Sequence, residues 1–175
     1  MLNLLQEVKR NIKALLLFAL MYKDEEYLKK AEEEIKRDWG DIIFEKYIGI
    51  KDYYKYYEKE MGEGLHKKFV AIDNLIEKDK LIELKKYSMK LEDKYRINSN
   101  RTVNIDPIYL DMFQVVVASS KDKGSRIYLG EGVFAEIELL YHHGSFHPLL
   151  WTYLDYKENI DFFNEVRKIY LSKRS

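Results

Sequence analysis

The chain has 175 residues, 46% of them apolar and 34% charged, which suits one soluble domain able to bury its own core. Thirty Lys and Arg balance thirty Asp and Glu, so a surface built throughout for nucleic acid is disfavoured. Cysteine is absent, which excludes disulfides, thiolate nucleophiles and Cys-ligated zinc or iron–sulfur clusters and is compatible with a reducing cytoplasm.

Residues 2–10 predict a short helix. KALLLFALMY (13–22) is apolar throughout and predicts a strand buried on both faces. Basic residues ahead of it mimic a signal peptide, but the apolar run is far shorter than the ~20 residues a bilayer needs. No cleavage site follows, so no membrane segment is expected. KDEEYLKKAEEEIKRDWG predicts a helix, with Asp24 placed to cap it, Gly40 to close it, and Tyr27, Ala31, Ile35 and Trp39 as its inward stripe.

DIIFEKYIGI reads as a second strand, followed by the tyrosine-rich DYYKYYEKEMGEGL. HKKFVAIDNLI reads as a third strand. KDKLIELKKYSMKLEDKYR is a second long helix with Leu81, Leu84, Ser88, Leu91 and Tyr95 on one face. TVNIDPIYLD is extended, with Pro107 holding it at a sheet edge or ending it. Strand, helix, strand, strand, helix, strand is the split βαβ plan, so the expected fold is α+β with a ferredoxin-like βαββαβ core and both helices on one face. MFQVVVASS and SRIYLGEGVFAEIELLYHHG extend the antiparallel sheet by a C-terminal hairpin, and a terminal helix near 158–171 carries Ile160, Phe163, Val166 and Tyr170 inward. No linker, repeat or low-complexity tract divides the chain, so 1–175 reads as a single domain.

SSKDKGSRIYLGEG (119–132) raises a phosphate loop and then rejects it. A Walker loop needs G-x-x-x-x-G-K-[ST] opening a helix, and Gly124 is followed by Ser125, Arg126 and a strand. An N-K-x-D guanine reader fails too, because Asp122 directly follows Lys121 and no asparagine precedes it. Residues 121–125 read as a hairpin turn whose Lys121, Lys123 and Arg126 form a positive tip. Downstream, Gly130 and Gly132 bracket a bend at Glu131, and Phe134, Glu136 and Glu138 share a face, read as the solvated side of a half-buried strand rather than a cation site.

His142, His143 and His147 lie around a turn but follow no zinc spacing, and no metal is expected. None of the serines sits in a nucleophile elbow, and no cofactor motif is present, so no cofactor is expected. Tyr53, Tyr54, Tyr56 and Tyr57 suit either stacking on bases and sugars or wedging between helix and sheet with wet hydroxyls.

Four motifs in order, YYEKEMGEGL, NIDPIYL, SSKDKGSRIYLGEGVFAEIEL and GSFHPLLWTYLDY, resemble the bacterial domain-of-unknown-function 4416 family across nearly the whole chain. Lys55 stands where the family pattern has an acid, His143 and His147 stand for Asp and Gln, and Leu150 and Leu154 stand for prolines. The resemblance implies a shared role for the matching Tyr57, Glu60, Asp106, Tyr109, Lys121, Arg126 and Tyr128.

Together these readings predict a polar cleft walled by the YYEKEMG bend, the NIDPIYL segment and the 121–130 hairpin. In it Lys121 and Arg126 hold a small phosphate-bearing or nucleotide-like anion, while Tyr57, Tyr109 and Tyr128 stack or hydrogen-bond beside Glu60 and Asp106. The alternatives are a protein- or RNA-interaction module without catalysis, and an enzyme acting on a small phosphorylated or carboxylated substrate.

Overall fold

Every residue of β1 (Lys13–Tyr22) after the first is buried, and its alternation divides the core between two faces. Leu15, Leu17 and Ala19 enter one cluster, while Leu16, Phe18 and Leu20 enter the other. A strand apolar on both faces belongs in the middle of a covered sheet, and in the computed structural model, which describes residues 3–6 and 12–174, β1 lies there. The expected N-terminal helix falls largely outside the described residues.

The remaining elements are α1 (Glu25–Trp39), β2 (Ile42–Ile50), α2 (Lys55–Met61), β3 (His66–Glu77), α3 (Leu81–Lys94), β4 (Val103–Leu110), β5 (Gln114–Ser119), β6 (Ile127–Gly130), β7 (Val133–His142), β8 (Ser145–Pro148), α4 (Leu154–Lys157) and α5 (Ile160–Arg174). The fold is mixed α and β. One antiparallel sheet runs β2-β3-β1-β4-β5-β7-β6, and β8 pairs with the second half of β7. Helices α1 and α3 cover one face through Leu28, Ala31, Ile35, Leu84 and Leu91. Helix α5 covers the other through Phe162, Phe163, Val166 and Tyr170. None of the helices described is long and apolar enough to cross a membrane.

Four local readings change. Asp24 is extended and makes no side-chain cap; its backbone carbonyl accepts from Tyr27 N at 3.1 Å instead. Pro107 lies in an interior strand, paired with Phe18 of β1. It is tolerated because β5 pairs only with the last three residues of β4, leaving the side toward which Pro107 lacks a donor unpaired. Residues 121–125 do not close a hairpin: β7 inserts between β5 and β6, so this loop crosses over to an outer strand. Finally, Glu136 and Glu138 are buried, 2% and 0% exposed, because side chains of the crossover loop and the segment before α4 cover that face.

Candidate functional site

The sheet divides between β4 and β5. Only Ile108, Tyr109 and Leu110 pair, with Val117, Val116 and Val115; beyond them β4 continues back to Val103 and β5 runs on to Ser119 unpaired with each other. A backbone N–H in such a gap needs another acceptor. Ile105 N donates to Glu92 Oε2 at 2.7 Å, a side chain standing in for a strand carbonyl. Two residues on, by strand alternation, the nitrogen facing the same gap is that of Pro107, which has no hydrogen.

The gap opens into a cavity of about 710 Å³, within the usual range for a small-molecule site. Its walls come from the 53–60 segment, β3, the face of α3, β4, the end of β5 with its following loop, and residues 153–156. On the floor the buried Lys67 ammonium is ion-paired with Asp155 and lies over the Tyr156 ring at 5.5 Å. Lys85 Nζ donates to Asp106 Oδ1 at 3.2 Å, and Asn104 Nδ2 donates to Asp106 Oδ2 at 3.0 Å. Arg101 grips both oxygens of Glu60, from Nε at 2.9 Å and Nη2 at 3.1 Å, and donates from Nη1 to Asn104 Oδ1 at 2.7 Å.

These contacts set the charges. Burial alone would raise the Asp106 carboxyl, but the Lys85 and Lys67 charges and the two hydrogen bonds hold it below the usual range. Glu92 is pushed up to about 7 by burial, which the nearby Lys85 and the Ile105 N–H only partly offset. Burial raises the Tyr57 phenol, and the Asp106 charge adds to it, so it is a neutral donor at all ordinary pH. Tyr54 lines the cavity with a buried hydroxyl that has no hydrogen-bond partner.

At the mouth, Arg126 spends four of its five N–H groups on protein. Nε donates to Glu136 Oε2 at 3.0 Å, Nη1 to Ser119 Oγ at 2.7 Å and to the Lys121 carbonyl at 2.8 Å, and Nη2 to the Tyr153 hydroxyl at 2.7 Å. Beneath it the two carboxyls share a proton. Burial would raise Glu136, but hydrogen bonds from Glu138 and Ser125 and the Arg126 charge keep it ionised; burial and the Glu136 neighbour push Glu138 up, so it is protonated. Glu138 Oε1 is buried and has no other partner among the described residues. Lys121 and Lys123 differ from Arg126: among the described residues their ammonium groups donate only to the hydroxyls of Tyr56 at 3.2 Å and Tyr153 at 3.3 Å.

Residues 12–170 match the model of the family described as Domain of unknown function (DUF4416). The chain belongs to this family. No curated protein and no solved structure matches it.

In this DUF4416 chain five of the seven residues singled out from sequence, Tyr57, Glu60, Asp106, Lys121 and Arg126, line the one cavity. Tyr109 does not: it packs against the cluster under α3, with the Lys78 ammonium 5.8 Å from its ring. Tyr128 lies on the outer strand β6, its ring 5.1 Å from Phe134 and its hydroxyl accepting from Gly132 N at 3.3 Å. The DUF4416 histidines 142, 143 and 147 gather on the β7–β8 turn and do not line the cavity. Sequence reading missed Lys85, Met89, Glu92 and Arg96. Their spacing of four, three and four marks a second stripe on α3 beside the apolar one, continued by Arg96 just past its end, a signal present in the sequence. Lys67, Asn104 and Arg101 carry no such signal.

Proposed function

We propose that this protein is a small-molecule binding domain whose cavity takes a phosphate-bearing or comparable anion at Lys121 and Lys123. One observation carries the reading. Of the seven cations that line the cavity among the described residues, Lys67, Lys85, Arg96, Arg101 and Arg126 have carboxylate partners, whereas Lys121 and Lys123 are held by tyrosine hydroxyls. A phenol positions an ammonium without neutralising it, so those two charges remain available to a ligand. The Tyr56 and Tyr153 rings under them, 5.0 and 5.1 Å from the ammonium groups, offer flat apolar faces to the ligand body. Arg126 organises the loop in this reading rather than holding the anion.

Thermal denaturation with inorganic phosphate and glucose 6-phosphate at low ionic strength tests it. Ligand at a hundred times its Kd stabilises by about 2.7 kcal/mol, so a clear rise in Tm is expected, lost in the Lys121→Ala/Lys123→Ala variant. No rise at millimolar concentrations of either would reject the reading.

The order β2-β3-β1-β4 with antiparallel neighbours and α1 and α3 on one face supports a ferredoxin-like core. A second functional reading, a protein- or RNA-binding surface, draws on Leu150, Trp151 and Leu154, which are 100%, 43% and 49% exposed in a row beside the cavity. It predicts that Leu150→Ala/Leu154→Ala loses a partner while keeping any stabilisation by phosphate.

A further inference from the structure

We propose that the ligand carries an amine as well as an anion: an aminoalkyl or amino-sugar phosphate, with its anionic group at Lys121 and Lys123 and its ammonium on Asp106. This rests on the anion reading above and specifies the ligand's other end.

The two ends of the cavity differ in charge. At the mouth, Arg126 is neutralised by Glu136, which leaves the two lysines in surplus. On the floor the charges nearly balance: Lys67, Lys85, Arg96 and Arg101 stand against Glu60, Glu92, Asp93, Asp106 and Asp155, with Glu92 part-protonated near neutral pH. A ligand lying along the cavity therefore meets uncompensated positive charge with one end and a near-neutral, carboxylate-bearing surface with the other.

Asp106 is the floor group that meets the ligand. Its side chain is 25% exposed, while that of Lys85, its ion-pair partner, is 6% exposed. Glu92 and Asp155 are 7% and 4% exposed. Glu60 is more open, but Arg101 holds both its oxygens. Each Asp106 oxygen accepts one protein hydrogen bond, from Lys85 and from Asn104, so two of its roughly four lone-pair sites stay free. The Tyr57 phenol, near enough for the Asp106 charge to raise it, is a further acceptor oxygen there, and the Tyr54 hydroxyl lines the same cavity with no partner among the described residues. An alcohol at the same place would also donate to the ionised carboxylate, but it lacks the full positive charge that an ammonium brings to the pair, so it gains less.

Matched pairs test this on the intact wild-type protein: glucosamine 6-phosphate against glucose 6-phosphate, and 4-aminobutyl phosphate against butyl phosphate, by calorimetry at pH 7 and low salt. The amine member of at least one pair is expected to bind about tenfold tighter. Asp106→Asn, checked for folding by its Tm, should abolish the preference for the amine member in the pair that shows it. If both members of both pairs bind alike, and Lys121→Ala/Lys123→Ala weakens all of them, the amine assignment is wrong while the anion site stands. If no phosphate binds at all, the anion reading fails and this inference with it.

Discussion

The Arg126 guanidinium and the Lys121 ammonium reach the same cavity with opposite consequences for stability. Arg126 and Glu136 are 3% and 1% exposed, so removing the arginine strands a buried carboxylate. Such losses cost roughly 3–5 kcal/mol, and Arg126→Ala should lower the urea midpoint accordingly. Lys121 is exposed, and Lys121→Ala should stay within about 0.5 kcal/mol of wild type. Equal effects in the two variants would refute this division of roles. Glu92 gives a pH dependence whose sign is fixed. Its carboxyl, ordinarily near 4.5, is raised to about 7 in the fold, so between those values the native state holds the extra proton. Stability then falls as pH rises through that window and levels off above it, by an amount on the order of 3 kcal/mol. Glu92→Gln, which keeps an acceptor for Ile105 N, should flatten that slope. Relative to the wild type it should be more stable at pH 8 than at pH 5, as read by urea denaturation at both values.

Two tight turns shape the outer part of the sheet. Glu131 and Gly132 join β6 to β7 with φ of 53° and 77°, and His143 and Gly144 join β7 to β8 with φ of 51° and 82°. Both central residues in the left-handed region define the turn in which Asn-Gly is the favoured pair, and a non-glycine residue there is strained. His143→Asn should therefore raise stability by roughly 0.5 kcal/mol, a small upward shift in Tm, with no effect on the cavity. Elements of this kind are readable in part from the chain: periodicity locates the longer strands and the long helices, and Gly130 and Gly132 mark the first turn, while the short β8 and α2 carry no period of their own. What escaped was non-local. A polar, glycine-containing loop looks the same whether the strands it joins are neighbours or have β7 between them. Alternation puts Glu136 and Glu138 on one face without saying that Arg126 and Ser125, ten and eleven positions from Glu136, would cover it. Motifs point to Tyr57, Asp106 and Lys121, but Lys67, Asn104 and Arg101 become visible only once β3 and β4 stand on either side of β1.

At the scale of the molecule the sheet consists of two parts, β2-β3-β1-β4 and β5-β7 with β6 and β8, joined by three residue pairs. So short a seam does not by itself make them cooperative. The helices do: Phe163 of α5 shares one cluster with Leu15, Phe69 and Ala71 of the first part and with Val115, Leu139 and Phe146 of the second. On the other face α3 reaches both parts, through Leu84 and Leu91 to one and Leu81 to the other. Phe163 is fully buried, its ring 5.1 Å from that of Phe69, and Phe163→Ala should cost about 3–5 kcal/mol. The two tryptophans make the cooperativity measurable. Trp39 lies at the end of α1 over the first part, and Trp151 donates from Nε1 to Ile137 O of β7 in the second at 2.8 Å. Single-tryptophan versions, Trp151→Phe and Trp39→Phe, report each part separately. In both the parent and the Phe163→Ala background the two fluorescence transitions should coincide, shifted together by the substitution. Separate midpoints would mean that the parts unfold independently, and that a cavity lined by both is held by the seam alone.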